Sequence, residues 1–196
     1  MIYVGGPVLL TFGFRPPPVL AAVWLGLALS LVLLLRDPGF ERGALIRAAP
    51  PRELAWVLAR FAAAAAASTI AGALIAPDRL FGFVRERPGL WALVMIGYPL
   101  FSVVPQGLLY RALLFHRYAA LFPAPPALVG GLLFGFGHIA FRNWVAVALT
   151  TVGGVLFSRT YLRTRSLPLS CLEHALYGCF VFSIGLGEFL YSGALR

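Results

Sequence analysis

Lysine is missing from this 196-residue chain, whose 16 basic residues are all arginine, and acidic residues number only seven. With abundant Ala, Gly and Pro, the missing lysine reads as compositional bias and excludes no chemistry. The low charge excludes more. Charged residues make up 12% of the chain against 60% hydrophobic, and the mean hydropathy is +0.87, far outside the range of soluble globular domains. Cysteine is nearly absent: Cys171 and Cys179 stand eight positions apart on one expected helix, about 12 Å along its axis and too far to bridge each other. No basic run interleaved with aromatics lies outside the apolar segments, which argues against a nucleic-acid surface. The net charge of +9 is read instead as arginines anchoring helix ends at anionic lipid headgroups. The N-terminus has neither a basic n-region nor a small-residue cleavage site, so no segment is expected to be removed.

Long apolar runs fill what remains. The expectation is an all-α, polytopic membrane helix bundle of about six spans, forming one membrane domain over residues 1–196 with only short loops. The spans are 19–35, 54–75, 89–118, 126–141, 144–162 and 167–191, with no internal repeat. Residues 2–13, interrupted by Gly5, Gly6 and Pro7, are either an interfacial segment or the remnant of a further span. Pro99 and Pro105 are expected to kink the stretch 89–118. Counting arginines favours one crossing there, because a single crossing puts the loops 36–53 and 163–166 and the turn at Arg117 on one, cytoplasmic, side. The Ala62–Ala67 run and the pairs Gly130-Gly131 and Gly153-Gly154 mark places where helices approach closely.

Three polar islands interrupt the apolar spans: Gln106 and Arg111, His138, and Glu173-His174. A guanidinium at membrane depth must face a partner or a wet cavity, and marks a functional site by default. At the helical rise, Gln106 lies about 17 Å, His138 about 18 Å and His174 about 12 Å from one common end of the bundle, so the islands meet near mid-depth. His138 and His174 from different helices suit a divalent metal such as zinc, acid and base work, oxyanion stabilisation, or simple hydrogen-bonded packing. Glu173 is expected either to pair with Arg111 or to serve as a base. Arg60 is expected to snorkel to the headgroups, as Glu188 is to reach the interface. Tyr110, Tyr177 and Trp144 either line a cavity or pack as ordinary aromatics. His116 and Arg117, at a helix C-terminus, suit its dipole and the headgroups.

An Arg-containing motif, then Phe134-x-x-x-His138, then His174 followed by a small residue at Gly178, each in its own span, resembles the CAAX prenyl protease type II and bacteriocin-processing (CPBP, Abi) family of intramembrane proteases, over about residues 90–190. The resemblance implies hydrolysis of a peptide bond in or near the bilayer, with a glutamate activating water and the histidines binding a metal or holding the oxyanion. It carries Arg111, His138 and His174 across by position, with Tyr110, Phe134 and Gly178 beside the substrate. Gln106 and Gly107 stand where that family's first motif has two glutamates, and Gly178 where the third has Asn or Asp. Neither glutamine nor glycine can act as a general base.

The expected function is therefore an intramembrane endopeptidase of the cell membrane, acting on a hydrophobic or lipidated peptide and weakened by the changed first motif. Two rivals stay open: an inactive family member that binds such peptides, and a small transporter with Arg111, His138 and Glu173 lining a pathway.

Overall fold

A chain segment in hydrocarbon must satisfy its own N–H and C=O groups, and in a continuous apolar run the helix does so without outside partners. The computed structural model describes residues 2–15 and 17–187 and is an all-α membrane helix bundle, with no strand among the described residues. Its principal helices are α1 (Ile2–Gly13), α2 (Val19–Leu35), α3 (Pro51–Ile75), α4 (Pro88–Leu121), α5 (Pro126–Phe141), α6 (Trp144–Thr164) and α7 (Leu167–Ser183). By length and composition α3, α4 and α6 can each cross a membrane, whereas α1, α2 and α5 are apolar but shorter. Glu188 and the expected extension of the last span to Tyr191 lie outside the described residues.

Polar contacts tie one end of the bundle together. His116 Nε2, near the end of α4, lies 3.0 Å from Asp37 Oδ2 just after α2, and Arg117 follows at 3.9 Å. Arg163 on α6 donates to Glu53 on α3 at 2.7 Å, and the Ser166 hydroxyl, which also caps α7, donates to the Arg47 carbonyl. These contacts gather the loop after α2, the start of α3 and the ends of α4 and α6 at one arginine-rich end. His116 and Arg117, expected to face the helix dipole and headgroups, thus have a protein carboxylate as their counter-charge. At the opposite end Arg142 donates to the Thr11 carbonyl of α1, and Trp91 Nε1 donates to the Ser183 hydroxyl.

Helix α4 is the axis of the bundle, and it runs continuously from Pro88 to Leu121, long and apolar enough for the single crossing that the arginine count favours. Neither proline breaks it. Pro99 and Pro105 sit in or beside two wide, π-helical stretches, Pro99–Val103 and Leu108–Leu113, the kind of local widening that recurs at functional sites. Pro99 has no N–H for the carbonyl of Met95 one turn earlier; the Cys179 thiol faces that oxygen at 3.9 Å. The N-terminal segment, open on sequence grounds, is a helix packed on α4: Tyr3 is buried, its hydroxyl donates to Leu109 O at 2.9 Å, and its ring meets Tyr110 and Tyr118 edge-on.

Helices α5 and α6 touch backbone to backbone. A Cβ on Gly131 would lie 2.7 Å from the Val155 amide nitrogen and 2.9 Å from the Thr151 carbonyl oxygen, and one on Gly154 would lie 3.0 Å from Gly131 Cα. Glycine is required at this crossing because the obstacles are main-chain atoms that no rotamer change can move.

Gly131→Val should therefore force the two helices apart and destabilise the protein by about 1–3 kcal/mol, the usual range for overpacking. Denaturant unfolding in detergent would measure it, and unchanged stability would contradict the close crossing. At the arginine-rich end, the hydrogen bond from His116, then that from the Gly39 amide, hold the Asp37 carboxyl below its ordinary value of 3.8. A carboxyl with a lowered folded pKa contributes stability that is full above the unfolded pKa and is lost as pH falls through the folded one. The melting temperature should thus fall less on acidification below about pH 4 in Asp37→Asn than in the parent chain; parallel pH curves would remove Asp37 from the account.

Candidate active site

Arg111 is 1% exposed and sits in the second wide turn of α4. Its guanidinium carbon lies 5.0 Å from the centroid of Phe134 on α5 and 5.1 Å from that of Phe157 on α6. Desolvated cation–π contacts of this kind contribute about 2 kcal/mol. Its NH2 group reaches His174 Nδ1 on α7 at 3.3 Å, while NH1 is buried without a hydrogen-bond partner among the described residues. One side chain thus touches three other helices.

The neighbours of His174 determine its proton. A guanidinium only donates, so Nδ1 accepts from Arg111 and the ring hydrogen sits on Nε2, which donates to the Tyr98 hydroxyl oxygen at 3.0 Å. The ring also stacks on Phe157 at 4.7 Å and meets the Phe134 edge at 5.3 Å. His138 is held in the opposite sense. Its Nδ1 lies 2.7 Å from the Phe134 carbonyl one turn earlier, so Nδ1 donates and Nε2 keeps a free lone pair. Phe134 is the hub, meeting His138 at 4.7 Å and Tyr110 at 5.2 Å.

Arg111, His138, His174, Tyr110 and Phe134 therefore form one cluster around a single buried ring. Gln106 is buried one to two turns along α4, its amide donating to Ser102 Oγ at 2.7 Å while Oε1 has no partner. Glu173 is placed elsewhere. It is fully buried, and it pairs with Arg60 of α3 at 2.8 Å, not with Arg111; Arg60 NH2 also reaches Thr160 Oγ1 at 3.1 Å. The expected snorkelling of Arg60 is corrected by the same contact: the guanidinium turns inward because a buried carboxylate stands within its reach. Trp144, 80% exposed at the start of α6, lines no part of the cluster, and Tyr177 packs between Phe61 and Phe157.

Tyr98, which carried no motif and was missed on sequence grounds, belongs to the site because of what Gly178 lacks. A Cβ on Gly178 would lie 2.6 Å from Tyr98 Cζ, so the phenol ring fills the space beside His174 that a side chain at 178 would need. The same replacement occurs at Gly107. A Cβ there would lie 2.5 Å from Cys171 Sγ and 4.0 Å from the unpartnered Arg111 NH1. An aromatic residue about two turns before Gln106 and Gly107 on the same helix was the available signal, but nothing local distinguishes Tyr98 from ordinary packing.

The donor set does not fit a metal ion as it stands. Both nitrogens of His174 are engaged, Glu173 is committed to Arg60, and no group of three or more His, Cys, Asp or Glu side chains converges among the described residues, whereas catalytic zinc sites use three protein ligands. What the cluster offers is one free imidazole acceptor, one buried guanidinium N–H edge without a partner, and one imidazole whose tautomer is set from both sides.

Compared with known proteins, residues 88–180 match the family model described as type II CAAX prenyl endopeptidase Rce1-like. No curated protein and no solved structure matches the chain.

Only three histidines are present, so selective 15N-histidine labelling gives a spectrum simple enough to assign. Tyr98→Phe keeps the ring and removes the acceptor of the His174 Nε2 proton; the His174 signals should shift and its proton exchange faster, with His116 unaffected. An unchanged His174 spectrum would refute the tautomer assignment.

Proposed function

We propose, from the premise that residues 88–180 belong to the CAAX prenyl protease and bacteriocin-processing family, that the chain is a multi-pass intramembrane endopeptidase of reduced rate. Its substrate is a hydrophobic or lipidated peptide, and His138 is the base that remains to it. The carrying observation is the pair of unsatisfied groups bordering Phe134: the bare Nε2 of His138, and Arg111 NH1. Water gives its proton to His138 Nε2 as its oxygen attacks the scissile carbonyl. The oxyanion so formed accepts from Arg111 NH1, and collapse breaks the C–N bond as His138 returns the proton to the departing amine. Tyr98 and His174 hold Arg111 in place. No step calls on a metal, and cleavage is expected to survive a chelator.

Lack of a well-placed base typically costs 10² to 10⁴ in rate, and the Gln106-Gly107 pair supplies no carboxylate. The second reading, a family member that binds such peptides without cutting them, draws on Tyr98 and Cys171, which fill the volumes beside Gly178 and Gly107. Both readings place the protein in the cell membrane, with lipid as its immediate partner.

The test is cleavage of hydrophobic and C-terminally lipidated peptides by the purified protein, with and without chelator. Slow cleavage by the parent chain, abolished in His138→Ala, is expected. Gly107→Glu alone collides with Cys171, whereas Gly107→Glu with Cys171→Ala removes the nearest obstacle, leaving the flexible end of Leu167 to give way, and should cleave on the order of 10² to 10⁴ faster. Peptide binding with no cleavage by the parent chain would establish the second reading; neither binding nor cleavage by any variant would sink both.

A further inference from the structure

Away from this cluster, a groove of about 370 Å³ opens between α3, α5 and α6, lined by Arg60, Ala127, Arg159, Leu162 and Arg163. That volume is within the range of small-ligand sites, and its three guanidinium groups are not equivalent. Arg60 is matched by Glu173 and Arg163 by Glu53, whereas Arg159 has no ion-pair partner among the described residues. Arg159 stands five residues before the end of α6, about 7.5 Å inward along the axis, and is exposed. A guanidinium at that depth, on the outer face of a helix able to cross a membrane, needs a counter-anion that the protein does not provide.

We infer that this groove binds a phosphate-bearing anion, with Arg159 as its principal ligand, Arg163 and Arg60 at its two ends, and Ala127 and Leu162 as its apolar wall. Charge and apolar wall lie side by side near the arginine-rich end of the bundle, where the anionic leaflet is expected: Ala127 stands at the start of α5, and Arg159, Leu162 and Arg163 fall in the last two turns of α6. Arg60 and Arg163 already spend one hydrogen-bonding edge on carboxylates, which keeps their side chains in place, so the third guanidinium completes a preformed cradle. A phosphate accepts two parallel N–H bonds from such a fork. This reading does not depend on the chain being a protease.

The experiment is lipid retention by the full chain. Protein reconstituted in phosphatidylglycerol and phosphatidylcholine nanodiscs, then re-extracted in mild detergent, is analysed for bound lipid by native mass spectrometry. Preferential retention of phosphatidylglycerol is expected, falling about fivefold or more in Arg159→Ala, the scale of one basic contact at a membrane surface. It should be unchanged in Arg36→Ala, an exposed arginine at the same end but outside the groove. Adding inorganic phosphate separates the sources: lipid that stays bound identifies a headgroup site, and lipid displaced at millimolar phosphate identifies a site for the free anion. Equal retention of both lipids, or equal loss in the Arg159 and Arg36 variants, would overturn the inference.

Discussion

A single cation buried in apolar surroundings sets the terms for the centre of this molecule. Arg111 has no carboxylate partner among the described residues; two aromatic faces and one imidazole nitrogen share its charge. That solution requires four helices at once, because Phe134, Phe157 and His174 come from α5, α6 and α7 while the arginine comes from α4. Burial without a counter-ion is tolerated only where such contacts are in place, so the site and the packing of the bundle are one problem. It also accounts for the backbone approach of α5 and α6: glycines at 131 and 154 let Phe134 and Phe157 close on the guanidinium.

The two motif positions that carry glycine have not been left empty. Tyr98 covers Gly178 and Cys171 covers Gly107, as the close packing of protein interiors demands. The two replacements differ in chemistry. Tyr98 brings a hydroxyl to His174 and so keeps a polar contact where it fills the volume, whereas Cys171 leaves Arg111 NH1 without a partner. The cluster is thus ordered on its His174 side and unsatisfied on its Arg111 side.

Charge elsewhere is settled in part by pairing across the bundle. Asp37, Glu53 and Glu173 each hold a cation from a different part of the chain, joining α2 to α4, α3 to α6 and α3 to α7. Surface pairs of this kind contribute little individually; the Glu173–Arg60 pair differs because its carboxylate is fully buried. Of the three guanidinium groups lining the groove between α3, α5 and α6, Arg159 is the one these pairs leave over, and it is exposed.

The sequence by itself determined the all-α membrane class, one long apolar helix through residues 89–118, and the approach of the helices that carry Arg111, His138 and His174. Each of these follows from hydropathy, arginine placement or helical rise, which are local quantities. The resemblance to the family whose model matches residues 88–180 was legible for the same reason, since motif spacing is a property of one helix at a time. Tertiary structure alone decided that Glu173 belongs to Arg60, that Tyr98 belongs to His174, and that Cys171 occupies the place beside Gly107. Those three depend on the rotation of one helix against another, and in an apolar bundle with weak amphipathic bias many rotations satisfy the same pattern. Only the packed side chains, through volume exclusion and the need of each buried polar atom for a partner, select one.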